Sequence, residues 1–479
     1  MSVAVRARAV LVTVVAALAL ALVPGCMPKT PEPPQDPGAI LAGGALATPL
    51  LLAGSERTVY ARIRIETQAL PERPRGPVNV ALAIDTSGSM MGAPIEESRR
   101  AALAMIAALA DGDRLAVVAF HTETVVVLPS TELDREVRAE VNRKVAALEA
   151  IGTTDLGGGL AAAVREVRGH FDPHGVNRVV LLGDGIPNDP RSIEPTARDA
   201  GEAGIAITSL GLGLDYDEIL MGKIAELSGG RYRYVESADK VASFYQEELL
   251  RMHTVYARGA SLVLTAGPGV RLEAVAGAPN PPSGGKAYVP IGDIARGDSR
   301  DVVVRMKVTP RKADVPIELL DAVLSFQDGV GTGARLERRV FFGAMTSSDA
   351  AKVAAARNAE VELAAALAEA GTTTLTALGL AKQGKYVRAR ALLKEGAEAA
   401  LSQAKQTPSP ALEKHAADME RVAADMPETD PAPVPSSVNG YDFADDELVS
   451  PMPAAEMQLS VPSARMRKEV HQKAYEMSH

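Results

Sequence analysis

Between residues 78 and 251 the apolar residues fall into short unbroken runs, separated by stretches in which they recur every three or four positions. Val78 to Ile84, Arg114 to Phe120, Val125 to Leu128, Arg178 to Gly183, Gly204 to Leu210 and Arg231 to Val235 read as strands. Leu133, Val137, Val141, Val145 and Leu148 form one helical stripe, and Leu156, Leu160, Val164 and Val167 another. Strands that are apolar on both sides need cover on both sides, so the pattern predicts an α/β fold: a doubly wound, mostly parallel six-stranded sheet between two helical layers. The link His121-Thr122-Glu123-Thr124 is too short for a crossover helix, which makes Val125 to Leu128 an antiparallel edge strand.

The pattern changes outside this segment. Val59 to Ile65 alternates apolar and polar residues as a half-buried strand does, and beyond Tyr256 strands follow one another without helices: Ala260 to Leu264, Val270 to Val275, Lys286 to Ile291, Asp301 to Val308, Ile317 to Gln327 and Arg335 to Phe342. We expect a β-sandwich from residues 51–76 and 255–345, with the α/β domain of residues 77–252 inserted into it. Residues 346–426 are Ala-rich and helical. Leu378-Gly379-Leu380-Ala381 and the run Gly384 to Leu393 look like half of a tetratricopeptide repeat, and since one unit cannot bury its own face, a helical hairpin docked on the rest of the protein is expected. The Pro-, Asp- and Ser-rich composition after Pro427 predicts a disordered tail over 427–479, with Arg465 to Met477 as a short surface helix of no assigned role.

At the other end, Arg6 and Arg8 precede an apolar run from Ala9 to Val23, cut by Leu22-Val23-Pro24-Gly25-Cys26. The run is short for a bilayer span, and the arrangement resembles a bacterial lipoprotein signal peptide (residues 1–26) whose Cys26 would be acylated. Residues 27–50, with Pro at 28, 31, 33, 34 and 37, then read as a linker off the membrane. Met27, rather than Asp, after the Cys favours the outer membrane in a diderm cell. No later segment reads as apolar enough to span. Cys26 is the only cysteine, so no intrachain disulfide can form. A net charge of -9 on 479 residues, with no Lys/Arg stripe, argues against a nucleic-acid partner.

The chemistry concentrates in Asp85-Thr86-Ser87-Gly88-Ser89, which follows directly on the first buried strand. In an open parallel sheet, ligands bind at the carboxyl ends of strands where the strand order reverses. A carboxylate and two hydroxyls at alternate positions aim hard oxygens at one point, a donor set suited to Mg²⁺. Thr154, in Ile151-Gly152-Thr153-Thr154-Asp155, and Asp184, at the end of Val179 to Gly183, complete a set that resembles the metal-ion-dependent adhesion site of von Willebrand factor A (VWA) domains: Asp-x-Ser-x-Ser, a distant Thr and a distant Asp. Thr153 is the fallback for the Thr, and Gly183 stands where the family usually has Thr. Asp111-Gly112-Asp113-Arg114 and the run Leu210 to Tyr234 add to the likeness, which covers roughly residues 77 to 250 and implies a Rossmann-like fold.

The resemblance implies direct metal ligation by Ser87, Ser89 and Thr154, with Asp85 and Asp184 acting largely through water. It further implies Mg²⁺ as the ion, with Mn²⁺ or Ca²⁺ as alternatives, a partner protein that presents an Asp or Glu carboxylate, and no enzyme activity. His121, Asp155, Asn188 and Tyr216 would form the rim that selects the partner. Other readings are weaker. A mere helix cap would explain Asp85 and the serines but not a second Asp on another strand end. Gly157-Gly158-Gly159 lacks the Lys-Ser/Thr of a phosphate loop, and Pro173 interrupts the spacing of His170 and His174. Two alternatives from other classes are a scaffold whose own acidic residues Asp442, Asp445, Asp446 and Glu447 occupy the site, and a Mg²⁺-dependent hydrolase, which would want more direct carboxylates.

Overall fold

The computed structural model describes residues 36–71, 76–184, 186–431 and 461–479. The signal-like segment with Cys26, the proline-bearing part of the linker up to residue 35, and the four acidic tail residues lie outside the described residues.

Three strands come first: β1 (Ile40–Leu46), β2 (Leu50–Leu52) and β3 (Arg57–Thr67). The expected linker over 27–50 therefore ends before Ile40, because β1 pairs antiparallel with β3 from Ile40↔Thr67 to Leu46↔Ala61. Gly43-Gly44 looked like linker composition, yet a Cβ on Gly44 would lie 2.3 Å from the Phe342 ring, so its lack of a side chain is what lets that ring pack.

The α/β segment follows as β4 (Val78–Asp85), α1 (Ala93–Ala108), β5 (Arg114–Phe120), β6 (Thr124–Glu132), α2 (Arg135–Ala146), α3 (Leu156–Gly169), β7 (Val176–Gly183), α4 (Ile193–Glu202), β8 (Ala206–Leu212), α5 (Glu218–Ser228), β9 (Tyr232–Val235) and α6 (Val241–Met252). Its six-stranded sheet has the order β6-β5-β4-β7-β8-β9. Every pair is parallel except β5 with the edge strand β6. On β4, Val80, Leu82 and Ile84 pack in one core with Ile106 of α1 and Tyr245 of α6. Ala81 and Ala83 pack in the other with Leu160 and Val164 of α3. This two-sided burial is why the strands carry unbroken apolar runs. From β4 the chain moves to β5 on one side and returns to β7 on the other, so the strand order reverses at the β4/β7 junction and opens a crevice at their carboxyl ends.

The sandwich resumes with β10 (Val255–Ala266), β11 (Val270–Val275), β12 (Lys286–Ala295), β13 (Ser299–Val308), β14 (Pro316–Asp328) and β15 (Arg335–Ser347). Its sheets have the orders β1-β3-β13-β11 and β12-β10-β14-β15-β2. Strand β3 pairs with β13 from Arg57↔Val308 to Glu66↔Ser299, so the α/β segment sits between two parts of one sandwich.

Helices α7 (Ala350–Ala355), α8 (Ala359–Lys382), α9 (Tyr386–Gln406), α10 (Pro410–Asp425) and α11 (Val461–Ser478) close the chain. Where a single hairpin was expected, α8 to α11 share one core. The stripe Ala389, Leu393, Ala397, Ala400 and Ala404 keeps α9 thin enough for neighbours on both sides. Helix α8 is long and apolar enough to cross a membrane, with a mean hydropathy of 1.3 over its most apolar stretch, contrary to the expectation that no later segment is. It is nevertheless packed: Ala365 and Ala368 sit against Val303 of β13, and Glu369 accepts hydrogen bonds from Tyr60 (2.7 Å) and Arg305 (2.9 Å).

The helix expected over Arg465 to Met477 is present as α11, but it is docked rather than lying on the surface, and it limits the expected disorder of 427–479. Its docking face mixes the apolar Met466, Val470, Ala474 and Tyr475 with polar residues. Lys468 donates to the Tyr216 carbonyl and to Glu218 (2.6 Å). His471 and Tyr475 meet the Tyr232 ring edge-on at 5.2 and 5.6 Å, and Gln472 accepts from the Tyr234 backbone at 2.7 Å. Burial pushes the His471 pKa down to about 4; Glu218 and Asp217 oppose this, while Lys468 and His479 reinforce it. Because the folded value lies below the ordinary 6.5, docking is strongest above that pH and weakens as pH falls towards 4, by up to about 3 kcal/mol. Hydrogen exchange should show α11 losing protection on acidification through this window. His471→Asn should flatten the trend, and an unchanged trend in that variant would contradict the assignment.

A candidate metal centre at the carboxyl end of the sheet

Each of the three motif loops begins or ends at an element that the packing fixes. The Asp85 to Ser89 loop leaves β4, and Asp184 follows β7. The 151–155 loop leads into α3, where Asp155 caps the helix by accepting from the Gly158 N–H at 2.9 Å. Backbone hydrogen bonds tie the loops together. Gly88 donates to Gly152 (3.0 Å), Ile151 to Thr86 (2.8 Å), and Asn188 to Thr154 (3.0 Å). Thr86 anchors the first loop to β5 through the Phe120 carbonyl, which accepts from its N–H at 2.8 Å and its hydroxyl at 3.1 Å.

The side chains converge accordingly. Ser87 and Ser89 hold their hydroxyls 3.0 Å apart, Ser89 donates to Asp184 Oδ1 at 2.6 Å, and Asp85 Oδ1 accepts from the Ser87 N–H at 2.9 Å. A Cβ placed on Gly183 would sit 3.5 Å from the other oxygen of Asp85, so the departure from Thr at this position leaves Asp85 in ordinary contact with its neighbour strand. Thr154 is buried and Ser89 exposed, so the cluster runs from the sheet edge to solvent. The Thr153 hydroxyl is 3.3 Å from that of Thr122 and accepts from Asn188 at 2.9 Å. That engagement makes Thr154 the better candidate of the two.

The electrostatics are one-sided. Segments 85–92, 119–125, 150–158, 183–190 and 211–217 contain no Lys or Arg and hold Asp85, Glu123, Asp155, Asp184, Asp189, Asp215 and Asp217, of which Asp189 pairs with Arg191 and Asp217 with Lys382. Burial, helped by the charges of Asp85 and Asp215, pushes the Asp184 pKa up to about 6, although the Ser89 hydrogen bond pulls the other way. Asp215, just past β8, is a site neighbour that the motif search did not single out; its position after a buried strand end was the available signal. No group of three His, Cys, Asp or Glu able to hold a metal occurs among the described residues. A cation here would therefore rest on hydroxyls backed by two carboxylates. Clustered hard oxygens of this kind fit a hydrated divalent ion.

Of the four rim residues, three lie by the opening. His121 is half-buried, and its carbonyl accepts from Asp155 at 2.7 Å. Asp155 caps α3, and Asn188 is exposed. Tyr216 is not a rim residue. It is 3% exposed, its hydroxyl is 2.6 Å from that of Tyr232, and Lys468 lies 3.7 Å from its ring centre. An aromatic beside two aspartates reads as surface, but α11, expected as a surface helix of no assigned role, covers it.

Fold and constellation together define a doubly wound α/β domain with a hydroxyl-and-carboxylate cluster at its switch point. Residues 79–247 match the von Willebrand factor type A domain and form a domain of that fold. Among curated proteins, the chain is 31% identical over 182 residues to uncharacterized protein YfbK of Escherichia coli K12, covering 36% of this chain and 31% of that one. It is also 31% identical over 185 residues to human inter-alpha-trypsin inhibitor heavy chain H4, covering 36% and 20%. With 51% of a Synechocystis protein covered as well, the chain spans between a fifth and a half of these relatives. Two solved structures share the fold over most of the chain. A von Willebrand factor type A protein from Catenulispora acidiphila has a TM-score of 0.65 at 20% identity, covering 81% of this chain and 91% of its own. The ArnB paralog VWA2 from Sulfolobus acidocaldarius has 0.55 at 16% identity, covering 91% and 98%.

Proposed function

We propose that the chain is a binding module of the cell envelope, anchored through an acylated Cys26, in the outer membrane where the cell has one, and that it holds a protein partner through a divalent cation, Mg²⁺ foremost. Ser87, Ser89 and Thr154 would hold the ion, with Asp85 and Asp184 behind them. Bound there, it would supply a Lewis-acidic position able to accept an Asp or Glu carboxylate of the partner. The observation that carries this reading is the convergence of the Ser87 and Ser89 hydroxyls on Asp184, in a mouth whose loops hold seven carboxylates against the two cations Arg191 and Lys382. Such a mouth repels an acidic partner unless a cation lies between them. The small number of direct carboxylates speaks for capture rather than hydrolysis.

The test is a pull-down from envelope extract with wild-type and Asp85→Ala protein, each with and without EDTA, and with Cys26→Ser as a further arm. Partners retained only by the wild-type protein without EDTA are expected, with Cys26→Ser leaving the membrane fraction. The same polypeptides in all samples would overturn the capture reading, and membrane retention of Cys26→Ser would overturn the anchor.

A further inference from the structure

The α/β domain hides its apolar side chains well, and three of its exceptions belong to the loops of one site. Among its described residues seven large apolar side chains are exposed: Met91, Val125, Val126, Ile151, Phe171, Ile186 and Leu250. Met91, Ile151 and Ile186 are 71, 53 and 45% exposed, and each belongs to a different one of the three loops that build the candidate metal centre. Met91 lies two residues past Ser89 and donates its N–H to Gly88 at 3.2 Å. Ile151 is bonded to Thr86 through its backbone at 2.8 Å, and Ile186 follows Asp184 by two residues. Backbone bonds thus hold Met91 and Ile151 in the site loops, and Ile186 stands in the loop that the Asn188 N–H ties to Thr154.

Loop tips in water gain nothing from an exposed Ile or Met, whereas an apolar margin around a polar hollow gains on docking by leaving water and by excluding it from the charges inside. From this we infer that the partner's acidic residue is flanked by aliphatic or aromatic side chains, which Met91, Ile151 and Ile186 receive while the carboxylate enters between them. The inference rests on the carboxylate-capture reading and adds to it the chemistry of the recognised segment. Acidic flanks are selected against by Asp155 and Glu123 around the same opening. Basic flanks would be drawn to those charges, but they would leave the apolar margin wet.

The experiment uses the full chain and labelled short peptides in millimolar Mg²⁺: a central Glu with Leu and Phe flanks, the same Glu with Ser flanks, and the Leu/Phe peptide with Gln in the centre. Burial of three partly exposed apolar side chains predicts about tenfold tighter binding of the Leu/Phe-flanked Glu peptide than of the Ser-flanked one. The Gln peptide should not bind. The exposed positions tolerate polar replacement, so the triple variant Met91→Ser, Ile151→Ser, Ile186→Ser should fold and bind Mg²⁺ normally while the tenfold ratio falls to about one. Equal binding of the two Glu peptides to wild type would overturn the apolar margin and leave carboxylate capture standing. Failure of both Glu peptides, or binding of the Gln peptide that EDTA does not abolish, would remove both.

Discussion

Asp184→Asn is expected to abolish the heat of Mg²⁺ binding in a calorimetric titration without lowering the melting temperature of the metal-free protein. The two outcomes separate a metal centre from a structural hydrogen-bond cluster. Asn keeps an oxygen for the Ser89 hydroxyl, which now donates to Asp184 at 2.6 Å, so the loop contact survives. What disappears is one of two buried carboxylates whose charges oppose each other, and whose cost shows in the Asp184 pKa pushed up to about 6. Above that pH the folded metal-free protein carries the repulsion, and the variant does not. Wild type should gain about 2.7 kcal/mol of stability with Mg²⁺ at a hundred times its dissociation constant, visible as a rise in melting temperature that the variant lacks. A variant that melts lower without metal, yet still takes up Mg²⁺, would show that Asp184 serves the fold alone.

The ordering of strands and helices between Val78 and Val235 was legible because burial on both faces forces each strand into an unbroken apolar run, and the edge strand betrayed itself by a link too short to cross over. The motif loops could be placed for the same reason: Asp85 and Asp184 each stand one step beyond such a run. What escaped was whatever depends on polar contacts between distant segments. Lys468, His471 and Gln472 dock α11 on β9 and α5; the sequence offered a helix there, but nothing in a stripe as short as Met466, Val470 and Ala474 said which surface it would cover. Tyr216 was misplaced for that reason, since its cover comes from a segment some 250 residues away. Strand β1 escaped differently: Gly43 and Gly44 carry the composition of a spacer, and only the facing Phe342 ring gives them their meaning.

The largest effect on stability is expected far from the candidate site, at Arg178 near the start of β7. Its guanidinium pairs with Glu248 of α6 and with Asp293 of β12 at 2.6 Å, and all three side chains are no more than 6% exposed. Thr208 donates to Glu248 at 2.9 Å and the Gly259 N–H to Asp293 at 3.1 Å, so the carboxylates are held in place from both domains. The carboxylates raise the Arg178 pKa against its own burial, and Arg178 in turn holds that of Glu248 below its ordinary value. Arg178→Met would take their nearest cation from two buried carboxylates, leaving Glu248 only Arg231 at 3.9 Å, and should cost about 3–5 kcal/mol in urea unfolding. Replacing the triad together, Arg178→Met with Glu248→Leu and Asp293→Leu, should recover much of that loss, because the penalty lies in the uncompensated charges rather than in a missing bond. Arg191→Met, which breaks the exposed pair with Asp189, provides the contrast and should leave the urea midpoint almost unchanged. Because the triad joins the insertion to the sandwich at the opposite end of β7 from Asp184, Arg178→Met should leave Mg²⁺ uptake unchanged wherever the chain remains folded. A cost for Arg178→Met no larger than that for Arg191→Met would mean that water reaches the triad and that it does not fasten the two domains.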